Sequence, residues 1–141
     1  MKVIKLFGHP VMTICLFLVI LISGESIGGV YLFYLLLALP HGLIHSILAI
    51  MGIILLLVSY TSIKNVGNLA KTYINITGIF LLGFSIFSFF YNDKEHYNYG
   101  SFNSTPFWIT FSLFAISALC LLSLTVINLK SKNHQSQMNL V

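Results

Sequence analysis

Read along its length, the chain is a succession of apolar runs with short polar interruptions, at residues 11–22, 27–39, 43–60, 73–91 and 107–127. The last three approach the roughly 20 residues that a helix needs to cross a bilayer core about 30 Å thick. The first nearly crosses once Leu6 and Phe7 are added. The second falls short, because a helix of that length reaches only about 20 Å. Leu39-Pro40-His41-Gly42 then breaks it: proline disfavours helix in the residue before it, and glycine loosens the turn after it. The pattern predicts an all-α integral membrane protein with four transmembrane helices. A short non-crossing apolar helix over 27–39 lies on the outer side, between the first and second spans. That helix is apolar on every face ("VYLFYLLLAL"), whereas an interfacial helix should be amphipathic, so it needs cover from the others.

Composition leaves no room for a soluble domain, since 57% of residues are apolar and 7% charged. Residues 1–129 form a single membrane-embedded helical bundle and 130–141 a short polar cytoplasmic tail. The first run also has the outline of a cleaved signal peptide, with Lys2 and Lys5 ahead of an apolar core and the small residues Gly24 and Ser26 two apart. Its near-spanning length and the further apolar segments behind it favour a retained helix or signal anchor. Cytoplasmic loops keep lysine. With four spans and the N-terminus inside, Lys2, Lys5, Lys64, Lys71, Lys130 and Lys132 are cytoplasmic and only Lys94 is outside. A fifth crossing at 27–39 would nearly erase that bias. Both termini are therefore placed in the cytoplasm. The absence of arginine and the wealth of Lys, Asn, Ile, Phe and Tyr suit an AT-rich coding sequence and point to a bacterial inner membrane.

Two patterns carry candidate chemistry. Gly24-Glu25-Ser26-Ile27-Gly28 matches the G-x-S-x-G elbow of serine hydrolases, which requires a strand leading in and a helix leading out. Here it is expected in a tight connection between two apolar helical segments with no strand before it. Ser26 is free there to cap the following helix. The second pattern is "PHGLIHS", where His41 and His45, four apart, stack on one face if a helix begins near Pro40. That is metal-ligand spacing. Zinc proteases follow the first histidine with a glutamate base, and Gly42 stands there instead.

Ala49, Gly52 and Ser59 continue the face of His45, and such a small-residue stripe marks helix packing in membranes. His41 and His45 are thus expected to face the bundle interior, with Glu25 on the same outer side. Glu25, His41 and His45 together can hold a divalent metal such as zinc, relay a proton, or bond one another. The structural alternative is a backbone-bonded His45, a wet His41 and a solvated Glu25. Asp93, Glu95 and His96 lie on the same side and can complete a site, or form a plain solvated loop.

Other features read as architecture. Pro10 suits the start of the first helix, and its neighbour His9 is too far from the outer group to join it. Tyr91, Tyr97, Tyr99 and Trp108 form an outer aromatic belt. The last helix is rich in small residues, as suits a central position or an oligomer contact. Phe80, Phe84 and Phe87 make a stripe that packs or meets lipid. Cys15 and Cys120 lack a C-x-x-C and are inert small residues. Haem would need histidines at matching depth on different helices, and His9 does not match His45. The lysines are explained by topology, leaving nothing for nucleic acid.

Three functions fit. The first is a non-catalytic accessory or regulatory membrane component, with the lipid bilayer around it and a membrane-protein partner or a second copy beside it. The alternative is metal-ion or proton binding and transport through Glu25, His41 and His45. The third is an intramembrane enzyme using the same groups, and the residues lean away from it.

Overall fold

The computed structural model describes residues 2–24, 28–61 and 68–138, with the backbone alone for Lys2, Asn68 and 130–138. In chain order the elements are α1 (Lys2–Phe7), α2 (Pro10–Leu18), strands β1 (Leu21–Ser23) and β2 (Gly28–Val30), α3 (Tyr31–Ala38), α4 (Ile44–Thr61), α5 (Asn68–Tyr91) and α6 (Thr105–Met138). Turns of 3-10 helix follow α3 at Leu39–His41 and precede α6 at Tyr99–Asn103. The protein is mostly helical. Three stretches, Ile44–Thr61, Leu69–Tyr91 and Thr105–Leu129, are long and apolar enough to cross a membrane. Helix α6 continues beyond the apolar run, so 130–138 prolong it.

Helices α4 and α5 form the tightest pair, and glycine is the reason. A Cβ added at Gly52 would lie 3.0 Å from the carbonyl oxygen of Gly78, so two bare backbones meet there. The face of α4 expected to pack does so: His45, Ala49, Gly52, Leu56 and Ser59 are all buried. Between the other helices, hydroxyl and amide side chains act as links. Thr13 and Ser117 Oγ lie 2.9 Å apart, Ser117 Oγ donates to Phe7 O at 2.6 Å, and Asn75 Nδ2 donates to Thr125 Oγ1 at 3.1 Å. Such bonds join helices where lipid offers no hydrophobic drive.

The N-terminal run departs from the single helix predicted for it. His9 is extended (φ −92°, ψ 131°), as a residue before proline tends to be, and its Nδ1 accepts from Val11 N to start α2. Gly8, at the break, lies so close to α6 that a Cβ would fall 3.0 Å from Cys120 O. The chain leaves the helix again at Val19, and Leu21–Ser23 pair antiparallel with Gly28–Val30, Ile22 opposite Gly29. Val19, Ile20 and Ile22 are β-branched and accept an extended backbone readily. The strand's remaining donors are met by hydroxyls: Leu21 N by Thr110 Oγ1 at 3.0 Å, Ser23 N by Ser101 Oγ at 2.9 Å. Ile20 O accepts from Tyr31 N at 2.7 Å.

Two expectations are corrected by this hairpin. A strand does precede the Gly24–Gly28 pattern, but a second strand and not a helix begins at its end, so the strand-to-helix elbow is not made. Ser26 lies outside the described residues, and the residue at the N-cap of α3 is Val30. The expected 27–39 helix is shorter and one-sided. Tyr31, Leu35 and Ala38 are buried, while Phe33 and Leu37 remain more than half exposed.

Candidate functional site

Of the three residues expected to share a site, Glu25 lies outside the described residues. His41 and His45 are placed, and an interruption of the helix separates them. His41 belongs to the 3-10 turn, is exposed, and has its Nδ1 3.0 Å from Leu37 O. Gly42 then adopts a left-handed conformation (φ 62°), and α4 begins only at Ile44. The common helix face assumed for the pair requires a helix starting near Pro40. His45 faces the interior as expected; His41 does not. Among the described residues no three histidine, cysteine, aspartate or glutamate side chains gather closely enough to hold a metal ion.

His45 sits where α3, α4 and α5 meet, at the end of the bundle that carries residues 92–104. Ser85 Oγ donates to its carbonyl oxygen at 2.7 Å. With that proton committed, Tyr31 OH is the donor across the 2.9 Å contact to Ser85 Oγ. Burial raises the Tyr31 phenol above its ordinary range, so it stays a neutral donor. Phe89 meets the rings of Tyr31, Tyr34 and His45 edge-on at centroid distances of 5.2 to 5.3 Å. The His45 ring is thereby fixed in a largely aromatic wall. Its Nε2 is buried without a hydrogen-bond partner, a deficit of about 1 to 3 kcal/mol.

A cavity of about 410 Å³ opens beside it, lined by Gly42, His45, Phe89, Asn92, Asp93 and Asn98 among others. Asp93 organises the turn above the cavity: its Oδ2 accepts from Asn98 N at 2.7 Å, and its carbonyl accepts from His96 N at 3.1 Å. His96 takes a left-handed conformation (φ 58°) to close that turn, and its ring lies tilted against that of Tyr99 at a centroid distance of 4.2 Å. Of the loop groups able to complete a site, Asp93 alone lines the cavity that His45 also lines. Glu95 and His96 are exposed.

The second concavity lies between α5 and α6. Two cavities, of about 440 and 470 Å³, share Gly83 and Phe87. One is walled by Phe90, Phe107, Trp108 and Phe111, the other by Phe80, Phe84 and Leu122. Phe80, Phe84 and Phe87 are 60%, 55% and 63% exposed, so the expected stripe forms one bank of an open groove. A Cβ at Gly83 would meet nothing within 4 Å. Sequence reasoning missed the groove, because an aromatic stripe at helical spacing looks the same whether it faces lipid or borders a cleft. The signal that could have found it is Gly83 inside that stripe. Cys15 and Cys120 are both free thiols. No protein-family model, curated protein or solved structure matches the chain.

Proposed function

We propose that the chain is a four-crossing membrane protein with a non-catalytic role, an accessory component that holds a helix of another membrane protein in the groove between α5 and α6. The fourth crossing is the broken N-terminal segment. It runs beside α6 from Gly8, packed against Cys120 and Leu124, to Ser23, bonded to Ser101 and Ser104. Thr105 to Leu124 of a helix span about 30 Å, the thickness of a bilayer core. Extended backbone is tolerated at such depth when protein satisfies its polar groups, as the hydroxyls of Thr110 and Ser101 do here. The lysine distribution then supports cytoplasmic termini in a bacterial inner membrane, with the 92–104 loop outside.

The observation that carries the functional reading is the bare backbone of Gly83 on the floor of a groove bordered by three exposed phenylalanines. Membrane helices associate where small residues let a partner's backbone approach, whereas lipid tails have no need of such a floor. The hydroxyls of Thr13 and Ser117 and the amide group of Asn75 donate or accept in internal bonds that join α1, α2, α5 and α6, which suits a component that works by packing.

The test is photocrosslinking in native membranes. A benzophenone amino acid at Phe84 or Phe87 is expected to yield one discrete adduct with a second polypeptide. The same probe at Ile54, exposed on α4, should yield none, and adding Gly83→Leu to fill the groove should abolish the adduct. Adducts with lipid alone, or equal adducts from Ile54, would refute the proposal.

A further inference from the structure

We propose that the aromatic cavity between the outer ends of α5 and α6 is a binding site for a quaternary ammonium group. Its volume, about 440 Å³, falls within the range of small-molecule sites, roughly 300 to 1,000 Å³. Apart from Gly83 and Ile86, every residue that lines it carries an aromatic ring. Phe90, Phe107 and Phe114 are buried and form its floor. Tyr91, Tyr99, Phe102 and Trp108 are exposed and form its rim, at the end of the bundle that carries residues 92–104.

The rings are braced by one another before any ligand arrives. Phe107 meets Phe90 and Phe102 edge-on, each at a centroid distance of 5.8 Å, and lies near-parallel to Phe111 at 5.6 Å. Trp108 Nε1 donates to Phe102 O at 2.8 Å, which ties two rim residues together and commits the indole's only donor. Among the lining side chains the other polar atoms are the phenol oxygens of Tyr91 and Tyr99, and no charged side chain is present.

Such a lining selects among ligands. A group rich in N–H or O–H donors gives up its bonds to water and finds few acceptors in return. A metal ion finds no ligand set. A quaternary ammonium has no donor to satisfy, and its positive charge complements the negative faces of the rings, tryptophan most strongly, at up to about 6 Å from the centroid. Depth agrees with this chemistry. Phe107 and Trp108 lie in the first turn of α6, at the outer boundary of the proposed bilayer core, where a cation keeps contact with water. The same group has two sources, a free solute such as choline or the headgroup of a choline phospholipid.

The chain's single tryptophan lies in the cavity wall, so its fluorescence reads the site directly. Titration of the full chain in maltoside detergent with choline should give a saturable change in Trp108 emission. The alcohol 3,3-dimethylbutan-1-ol has the shape of choline without the charge, and should bind about tenfold more weakly or worse. Tyr91→Leu removes an exposed ring from the rim and should weaken choline binding about two- to fivefold, and Tyr91→Phe, which returns the ring, should restore it. Tyr73→Leu, at the other end of α5, should leave binding unchanged. The comparison of choline with its uncharged analogue needs no variant, so it holds even where a substitution disturbs the fold. No partner polypeptide is present, so these outcomes are independent of the photocrosslinking test of the helix-holding role.

Nanodiscs separate the two sources. A choline response seen in phosphatidylglycerol discs and lost in phosphatidylcholine discs assigns the site to the headgroup; a response in both assigns it to a free solute. No response to choline, an equal response to 3,3-dimethylbutan-1-ol, or an unchanged response in Tyr91→Leu would each overturn the proposal.

Discussion

Gly52→Ala adds one methyl group at the point where α4 and α5 touch, and Gly83→Ala adds the same group to the open groove. At Gly52 the new carbon would lie 2.8 Å from Leu82 Cδ2 and 3.0 Å from Gly78 O. Leu82 is fully buried and Gly78 O is backbone, so relief requires the two helices to part by several tenths of an ångström. Overpacking of this kind costs about 1 to 3 kcal/mol. The exchange of glycine for alanine within a helix returns about 1 kcal/mol. Gly52→Ala should therefore be neutral to about 2 kcal/mol destabilising. Gly83→Ala meets no neighbour and should gain up to about 1 kcal/mol. The difference between the two variants, about 1 to 3 kcal/mol, isolates the contact, because the propensity gain is common to both. Equilibrium unfolding of the full chain in mixed micelles of rising SDS fraction measures it. Equal stability of the two alanine variants would refute close backbone packing at Gly52.

Thr110→Val keeps the side chain's shape and removes the acceptor of Leu21 N, so it should cost about 1 to 3 kcal/mol and speed hydrogen exchange at the Leu21 amide; unchanged protection there would contradict the capped strand. Tyr31 predicts an alkaline weakness. Its phenol is protonated in both states below the ordinary value of 10.0, so stability is full there; above it the unfolded chain ionises first, and stability falls as pH rises toward the raised folded value. Thermal unfolding between about pH 9 and 11 should show a shallower decline in Tyr31→Phe than in the native chain, and identical slopes would remove Tyr31 as the cause.

The long helices were legible because each carries an unbroken apolar run, and the packing face of α4 was legible because small residues recur along it at helical spacing. The pairing of His41 with His45 was not. It depended on one backbone angle, the left-handed turn at Gly42, and spacing alone carries no information about where a helix begins. The break in the N-terminal apolar run was hidden for a related reason. Val19, Ile20, Leu21 and Ile22 are apolar whether helical or extended, and the choice was made by hydroxyls at Ser101 and Thr110, some eighty residues distant. Asp93 reaches the cavity through a turn closed by His96 at positive φ, an unusual conformation for a residue other than glycine.

The central claim is that the broken N-terminal segment crosses the bilayer, making four crossings and leaving α1 on the side opposite the 92–104 loop. Single cysteines at Val3 and Tyr97, both more than half exposed, report on it in a chain with Cys15 and Cys120 changed to alanine. Treated with a membrane-impermeant maleimide, intact cells should label position 97 at once and position 3 only after permeabilisation. Labelling of position 3 in intact cells together with position 97 would put both on one side, reduce the crossings to three and contradict the account.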